Sequence, residues 1–106
     1  MTLPSQGRIL IVEDSGESSY FLAEVLRAEG FEPVVRRSAA DALTAFASTH
    51  PVAVFLDWVL PDRPGINVCR ELRAADPLVP ILFISGPPAT AGSMAGSGGA
   101  FFVPAT

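Results

Sequence analysis

The chain of 106 residues has no lysine and a single cysteine. All seven basic residues are arginines, and eleven acidic residues bring the net charge to −4. Binding to nucleic acid or to an anionic membrane needs a basic patch, so neither is expected as a direct partner. One cysteine cannot form an internal disulfide. Because Cys69 falls on an apolar helical face, we predict a buried, unreactive side chain.

Long hydrophobic runs are also missing. No apolar run approaches the roughly 20 residues that span a bilayer, and the start MTLPSQGR does not follow the plan of a signal peptide. We therefore expect a cytoplasmic protein.

No charged residue follows Asp76, and the segment GPPATAGSMAGSGG at 86–99 contains five glycines and two prolines. An amphipathic helix is not expected in that segment.

The composition that remains is typical of one compact domain, which we place at residues 1–106. Hydrophobic residues make up 49% of the chain and charged residues 17%, enough for a single core. Four short apolar runs predict strands, and they begin at Arg8, Pro33, Val52 and Pro80. Segments with helical spacing lie between these runs, among them one with Phe21, Leu22, Val25 and Leu26. AFFV from Ala100 predicts a fifth strand.

Continuous apolar strands separated by helices predict a parallel sheet covered on both faces, a three-layer α/β sandwich. Pro33 cannot donate a ladder hydrogen bond, so the second strand should lie at a sheet edge. A flavodoxin-like strand order of 2-1-3-4-5 satisfies this requirement. The fourth helix is degraded in sequence and the fifth is missing, so one face of the five-stranded parallel sheet should lack cover.

Acidic residues stand where predicted strands end. Glu13 and Asp14 follow the first strand, Asp57 ends the third, and Ser85 ends the fourth. The carboxyl ends of neighbouring parallel strands open onto one crevice, so the three carboxylates should meet there. Their mutual repulsion would force protonation unless a cation relieves it. Oxygen ligands without histidine or thiolate favour Mg²⁺ over zinc.

Asp57 lies where the apolar run ends and a Pro/Gly loop begins, in VFLDWVLPDRPG. A carboxylate in that position can contact both the metal and an incoming phosphoryl group. It is therefore predicted to attack phosphorus in line and form an aspartyl phosphate. Pro61, Pro64 and Gly65 should shape the loop so that the carbonyl of Val59 turns toward the metal.

Four motifs, ILIVEDS, VFLDWVLPDRPG, PILFISG and GGAFFVP, occur in this order and resemble the CheY-like receiver domain of two-component response regulators. The resemblance extends from Arg8 to Pro104. It implies that Asp57 accepts a phosphoryl group from the phosphohistidine of a histidine kinase. It further implies that Asp14 binds Mg²⁺ directly, Glu13 through water and Val59 through its carbonyl.

The resemblance implies two further roles and one departure. Ser85 would donate a hydrogen bond to the phosphoryl group, and Phe102 would stand at the place of the aromatic switch residue on the fifth strand. Receivers carry a lysine in a K-P pair after that strand, where this chain has Ala105 or Thr106. A missing cation affects the coupling of phosphate to conformational change more than metal binding, because the carboxylates remain.

Two functions follow as hypotheses, neither of them an enzyme. The first is a phospho-accepting receiver that binds a histidine kinase, an output domain or a second copy, with self-association covering apolar surface on the fourth and fifth strands. The second is a pseudo-receiver, a constitutive interaction or dimerisation module without a switch. A phosphohydrolase of the haloacid dehalogenase type needs an aspartate two residues after its nucleophile. Val59 occupies that position, so this activity is disfavoured.

Overall fold

The computed structural model describes residues 5–84 and the backbone of 101–103. The helices and strands alternate as predicted through the fourth strand, and a short fifth strand follows. Their bounds are β1 Arg8–Val12, α1 Gly16–Ala28, β2 Glu32–Arg36, α2 Ala39–Thr49, β3 Ala53–Asp57, α3 Gly65–Ala75, β4 Ile81–Ile84 and β5 Phe101–Val103. Ser85, the expected degraded fourth helix and the missing fifth helix all lie outside the described residues.

The strands form one sheet in the order β2-β1-β3-β4-β5, which confirms the predicted order. The pairs β1/β2, β1/β3 and β3/β4 are parallel. Pro33 lies in β2 opposite Ile9, with no strand on its other side, as expected for a residue without a ladder donor. None of the described helices is long and apolar enough to cross a membrane.

The expectation of a parallel fifth strand is wrong, because β5 pairs antiparallel with β4. Phe101 lies opposite Phe83, and Val103 lies opposite Ile81. A parallel neighbour requires a crossover to the other edge, usually through a helix, and the sequence between β4 and β5 has no helical pattern. An antiparallel neighbour needs only a connection that returns from the same edge. β5 therefore starts where β4 ends and finishes at the opposite edge.

The larger part of the core lies between the sheet and the helices α2 and α3. Fully buried side chains from the strands and from both helices meet there: Leu10, Val54, Leu56, Ile81, Ala42, Val68 and Leu72. Burying a leucine or isoleucine side chain contributes roughly 1.5–3 kcal/mol, so this cluster holds α2 and α3 firmly against the strands. Cys69 is buried in the same cluster, as predicted.

The other face of the sheet carries α1 and a smaller core built on Ile11, Ala23 and Leu26. The helix is confirmed, but Phe21 is 71% exposed and Val25 is 43% exposed, although both belong to the apolar stripe that predicted it. The reason is that α1 is the one described helix on this face. Phe21 and Val25 lie on the side of α1 away from its buried residues Ser19, Ala23 and Leu26, and no second described helix covers that side.

Strand residues on this face are also incompletely covered. Phe55, Leu82 and Ile84 alternate with buried neighbours and remain partly exposed. We call the surface formed by these three strand residues the α1-side face. The predicted lack of cover depends on residues outside the described part of the chain and stays a prediction.

Candidate phospho-acceptor site at the carboxyl edge of the sheet

Glu13 and Asp57 lie side by side at the carboxyl edge of the sheet. In the β1/β3 register Val12 pairs with Leu56, and each acidic residue is the next one along its strand. The N–H of Glu13 donates to the carbonyl of Arg36 at 3.0 Å, which continues the β1/β2 ladder by one residue. Asp57 pairs with Ile84 of β4. Four neighbouring strands, β2, β1, β3 and β4, therefore fix the position of these two carboxylates.

Glu13 is almost fully buried, with 5% of its surface exposed, whereas Asp14 is exposed and Asp57 is half-buried. The N–H of Ser15 donates to Oε1 of Glu13 at 3.0 Å. Ser15 is also the N-cap of α1, where its Oγ accepts from the N–H of Ser18 at 3.3 Å. The start of α1 thus holds the Glu13 side chain in place.

Burial raises the pKa of Glu13 above its ordinary value, because the apolar core disfavours the charged form. The N–H of Ser15 opposes this effect, since it stabilises the carboxylate. A hydrogen bond with the side chain of Asp57 and the negative charges of Asp57 and Asp14 raise the pKa of Glu13 further. Glu13 and Asp57 are therefore in direct side-chain contact at this edge, and Asp14 is near enough for its charge to act on Glu13.

The loop from β3 to α3 folds tightly behind Asp57. Val59 forms an isolated antiparallel bridge with Pro64, and the N–H of Gly65 donates to the carbonyl of Trp58 at 2.8 Å. A Cβ at position 65 would lie 2.0 Å from the carbonyl oxygen of Asp57. Glycine is thus required there by close backbone approach, which explains the Pro/Gly pattern that the sequence showed.

Asp62 has a role that the sequence did not reveal. Its Oδ1 accepts from the N–H of Ala39 at 2.8 Å, and its Oδ2 accepts from the N–H of Ala40 at 3.0 Å. These two bonds lower the pKa of Asp62 below its ordinary value. The carboxylate thus satisfies two unpaired donors at the N-terminus of α2, where the helix dipole also favours negative charge. It ties the loop of the phospho-acceptor to a different helix.

Trp58 packs beside the site. Its ring stacks on that of Phe83 in β4 with the centroids 4.1 Å apart and an interplanar angle of 18°. Because Trp58 directly follows Asp57, the stacked pair joins the acidic edge to the larger core. The indole is therefore a natural spectroscopic reporter of changes at Asp57.

The donor set fits Mg²⁺ by its chemistry. Glu13, Asp14 and Asp57 supply carboxylate oxygens, and Val59 supplies a carbonyl. Within residues 5–84, however, no three acidic, histidine or cysteine side chains form a ready-made metal cluster. Mg²⁺ keeps several waters and needs only one or two carboxylates from the protein, so a complete cage is not required. The magnesium site remains a prediction.

Two predicted site residues cannot be placed by their side chains. Ser85 lies outside the described residues, and Phe102 is described by its backbone, which pairs with Leu82. The direction of β5 bears on the missing lysine, because β5 ends opposite Ile81 at the edge away from Asp57. Even with a lysine after this strand, the strand itself would not direct it toward the carboxylates.

Residues 9–97 match the family model of the response regulator receiver domain. Among curated proteins, the DNA-binding response regulator MtrA of Mycobacterium tuberculosis is 45% identical over 74% of the chain. The match covers 34% of MtrA, so the chain spans about a third of that relative's length. DNA binding is a property of MtrA, as its name states. MtrA is about three times as long as the region that matches this chain.

Solved structures of the same architecture are also similar. A sensor protein from Polaromonas sp. JS666 superposes with a TM-score of 0.75 at 30% identity, covering 87% of this chain and 75% of that one. The BeF3-activated N-terminal receiver domain of Klebsiella pneumoniae RstA gives a TM-score of 0.61 at 33% identity, with coverage of 63% and 57%.

Gly65→Ala should destabilise the fold by about 1–3 kcal/mol, because the new methyl group meets backbone rather than a side chain that can move. Gly16→Ala is the matched control. A Cβ at Gly16 would meet Nη2 of Arg37, the end of a flexible exposed side chain. Urea unfolding should show a large loss for the first variant and little change for the second. Equal losses would contradict the role assigned to Gly65.

Asp62→Asn should lower the free energy of unfolding at neutral pH, because one charge-assisted bond to α2 is lost. The folded pKa of Asp62 is depressed, so its contribution is fully present above the ordinary value of 3.8 and disappears as the pH falls through the lower folded value. The gap between wild type and variant should therefore close in acid. Asp41→Asn removes a charge from the same helical turn without these two bonds. If Asp41→Asn had an equal effect, the hydrogen bonds of Asp62 would not be responsible.

Proposed function

This chain belongs to the receiver domain family of response regulators, and we propose that it receives a phosphoryl group on Asp57 from a histidine kinase in the presence of Mg²⁺. The observation that carries this proposal is the buried Glu13 beside Asp57, with Asp14 close enough to raise the pKa of Glu13. A carboxylate cluster at the carboxyl edge of a parallel sheet has an electrostatic cost that suits a functional site. If position 13 had no function, an apolar residue there would make the folded protein more stable.

Asp57 acts as the nucleophile. One Oδ attacks the phosphorus of the phosphohistidine, and the phosphorus–nitrogen bond of the donor breaks with its electron pair going to the imidazole nitrogen. The imidazole is then protonated, and the product is an acyl phosphate on Asp57. Mg²⁺, when bound, neutralises charge on the phosphoryl oxygens. The bond of Gly65 to Trp58 keeps the loop folded against the strand end, which holds the backbone of Asp57 still.

The remaining roles, binding of Mg²⁺ and contact with the phosphoryl group, fall to different residues. Asp14 and Asp57 are the carboxylates that would hold Mg²⁺ directly, because they are the more accessible two. Glu13 is buried and already accepts from Ser15, so a contact through water suits it better. Val59 would add its carbonyl. Asp57 pairs with Ile84 at the end of β4, and the hydroxyl of Ser85, the next residue in the sequence, would donate to a phosphoryl oxygen.

A phosphorylation-independent interaction module is the second candidate, a pseudo-receiver. Two observations favour it: the chain has no lysine, and β5 runs antiparallel to β4, so that it ends at the edge away from Asp57. A cation on the phosphoryl group would contribute a few kcal/mol in a partly desolvated site, roughly as other charge-assisted hydrogen bonds do. Losing it weakens the link from phosphate to conformation. Phe102 would then serve as packing rather than as a switch.

Incubation with acetyl phosphate and Mg²⁺ separates the two candidates. We expect a labile acyl phosphate on the wild type, detected by intact mass, together with a change in Trp58 fluorescence on addition of Mg²⁺. Asp57→Asn should abolish the adduct, and Asp14→Asn should weaken the response to Mg²⁺. Asp41→Asn, an acidic residue on α2 outside the site, serves as the control. A wild type that forms no adduct would support the pseudo-receiver.

Self-association through the uncovered side of the sheet is the partner interaction that the fold suggests besides the kinase. The α1-side face leaves Phe55, Leu82 and Ile84 partly exposed, and Phe21 and Val25 on α1 are exposed as well. Apolar side chains left open to solvent in this way can form an interface. With a net charge of −4, the chain is a poor direct ligand for nucleic acid, so DNA binding would fall to another part of a longer protein.

Leu82→Glu should shift the chain toward monomer in sedimentation velocity, because it places a charge in the middle of the α1-side face. Leu78→Glu is the matched control, since Leu78 is 78% exposed in the loop before β4 and lies outside that face. Circular dichroism would verify that both variants fold. A wild type that remains monomeric at the highest concentrations reached would disprove self-association.

A further inference from the structure

A cleft opens at the amino edge of the sheet, at the end of the molecule opposite Asp57. It lies between the C-terminal ends of α2 and α3 and has a volume of about 430 Å³, which is within the usual range for small-molecule sites. The lining residues are Phe46, Ala47, His50, Pro51, Ala75 and Asp76. Its lining is thus of mixed character: Phe46, Pro51 and the two alanines supply apolar surface, and the polar groups come from the last turns of two helices.

The end of α2 presents backbone carbonyls without their usual helical donors. Pro51 has no N–H, so it cannot donate to the carbonyl of Ala47 four residues earlier. The N–H of Val52 donates to the carbonyl of Arg8 at 2.7 Å instead of to that of Ser48. The last turn of α2 contains no basic residue. From outside the helix, Nη1 of Arg8 donates to the carbonyl of Thr49 at 3.4 Å, so the carbonyls of Ala47 and Ser48 are the ones left without their helical donors.

The end of α3 repeats this arrangement. Asp76 is followed by Pro77, which again lacks an N–H, and the N–H of Leu78 donates to Oδ1 of Asp76 at 2.9 Å rather than back to the helix. The basic residue of the last turn, Arg73, donates to the carbonyls of Asp76 and Val79. The half-buried carboxylate of Asp76 lines the cleft. Two helix C-termini and one carboxylate therefore face the same space.

We propose that this cleft binds an organic cation, a guanidinium or ammonium group on an aliphatic stem. The stem would pack on Phe46, Pro51 and Ala75, and the cationic head would take the carboxylate of Asp76 and the carbonyls at the end of α2. The guanidinium of Arg73 is already engaged by the carbonyls of Asp76 and Val79, so an anion would meet the carboxylate of Asp76 and two helix C-termini with only His50 among the lining residues to favour it. A wholly apolar ligand would leave the carboxylate desolvated without a partner, which is unfavourable.

A titration followed by amide chemical shifts tests the proposal. The probes are n-butylguanidinium and n-butylurea, which have nearly the same shape but differ in charge. We expect n-butylguanidinium to shift the amide signals of Ala47, His50 and Ala75 in a saturable way, and n-butylurea to bind at least tenfold more weakly, since one charge-assisted hydrogen bond is worth about that factor. Equal binding of the two probes, or shifts confined to other parts of the chain, would overturn the proposal.

Variants locate the site. Asp76→Asn keeps the acceptor for Leu78 but removes the charge, and it should weaken binding about tenfold. Ala47→Leu should block the cleft by volume, and leucine at an exposed helical position leaves the fold intact. Glu29→Gln removes one negative charge at the end of α1 and should change nothing. Loss of affinity in Glu29→Gln equal to that in Asp76→Asn would mean that net charge alone attracts the probe.

A second pair of ligands identifies the source of the cation. Agmatine represents a free organic cation, and the capped tripeptide acetyl-Gly-Arg-Gly-amide represents an arginine side chain on a partner protein. Similar affinity for both assigns the cleft to free cations. At least tenfold tighter binding of the peptide assigns it to a protein partner. Failure of both to bind at millimolar concentration rejects the site.

Discussion

A carboxylate that is almost fully buried beside two others is the constraint on which the carboxyl edge of the sheet depends. Burial and the charges of Asp57 and Asp14 raise the pKa of Glu13, and the hydrogen bond from the N–H of Ser15 opposes them. The core directly beneath is apolar, with Val12 and Leu56 fully buried. The electrostatic cost therefore falls on the last residue before the strands give way to loops, where a cation and a phosphoryl group can reach it.

The parts of this arrangement that could be predicted from sequence depend on local patterns. Strands buried on both faces appear in the sequence as continuous apolar runs. A proline within a strand, here Pro33, indicates that the strand lies at the edge of the sheet. The strand order and the adjacency of Glu13 and Asp57 follow from those two facts together with parallel pairing. Gly65 could also be recognised, although the sequence did not say that the reason is contact with the carbonyl of Asp57.

The parts that could not be predicted depend on contacts between distant residues. The direction of β5 is set by how the chain returns to β4, and a strand of three residues carries no sign of it. Phe21 and Val25 fit a helical stripe equally well whether a second helix covers them or not. Asp62 caps a helix that begins 23 residues earlier, at Ala39, so no spacing rule links the two. Each of these outcomes is tertiary, and periodicity reports only secondary structure.

Helix α2 connects the two ends of the molecule. Its N-terminus accepts Asp62 from the loop that follows Asp57, and its C-terminus forms one wall of the cleft at the amino edge. Eleven residues make a rod of about 16 Å, held along its length by the packing of Ala42 and Ala45 against the core. A rearrangement of the β3–α3 loop that pulled on Asp62 would therefore displace α2 as a unit rather than bend it. Since the larger core leaves little free volume under α2, such a shift would have to move α3 with it, and the cleft between them would keep its shape while the acidic edge changed.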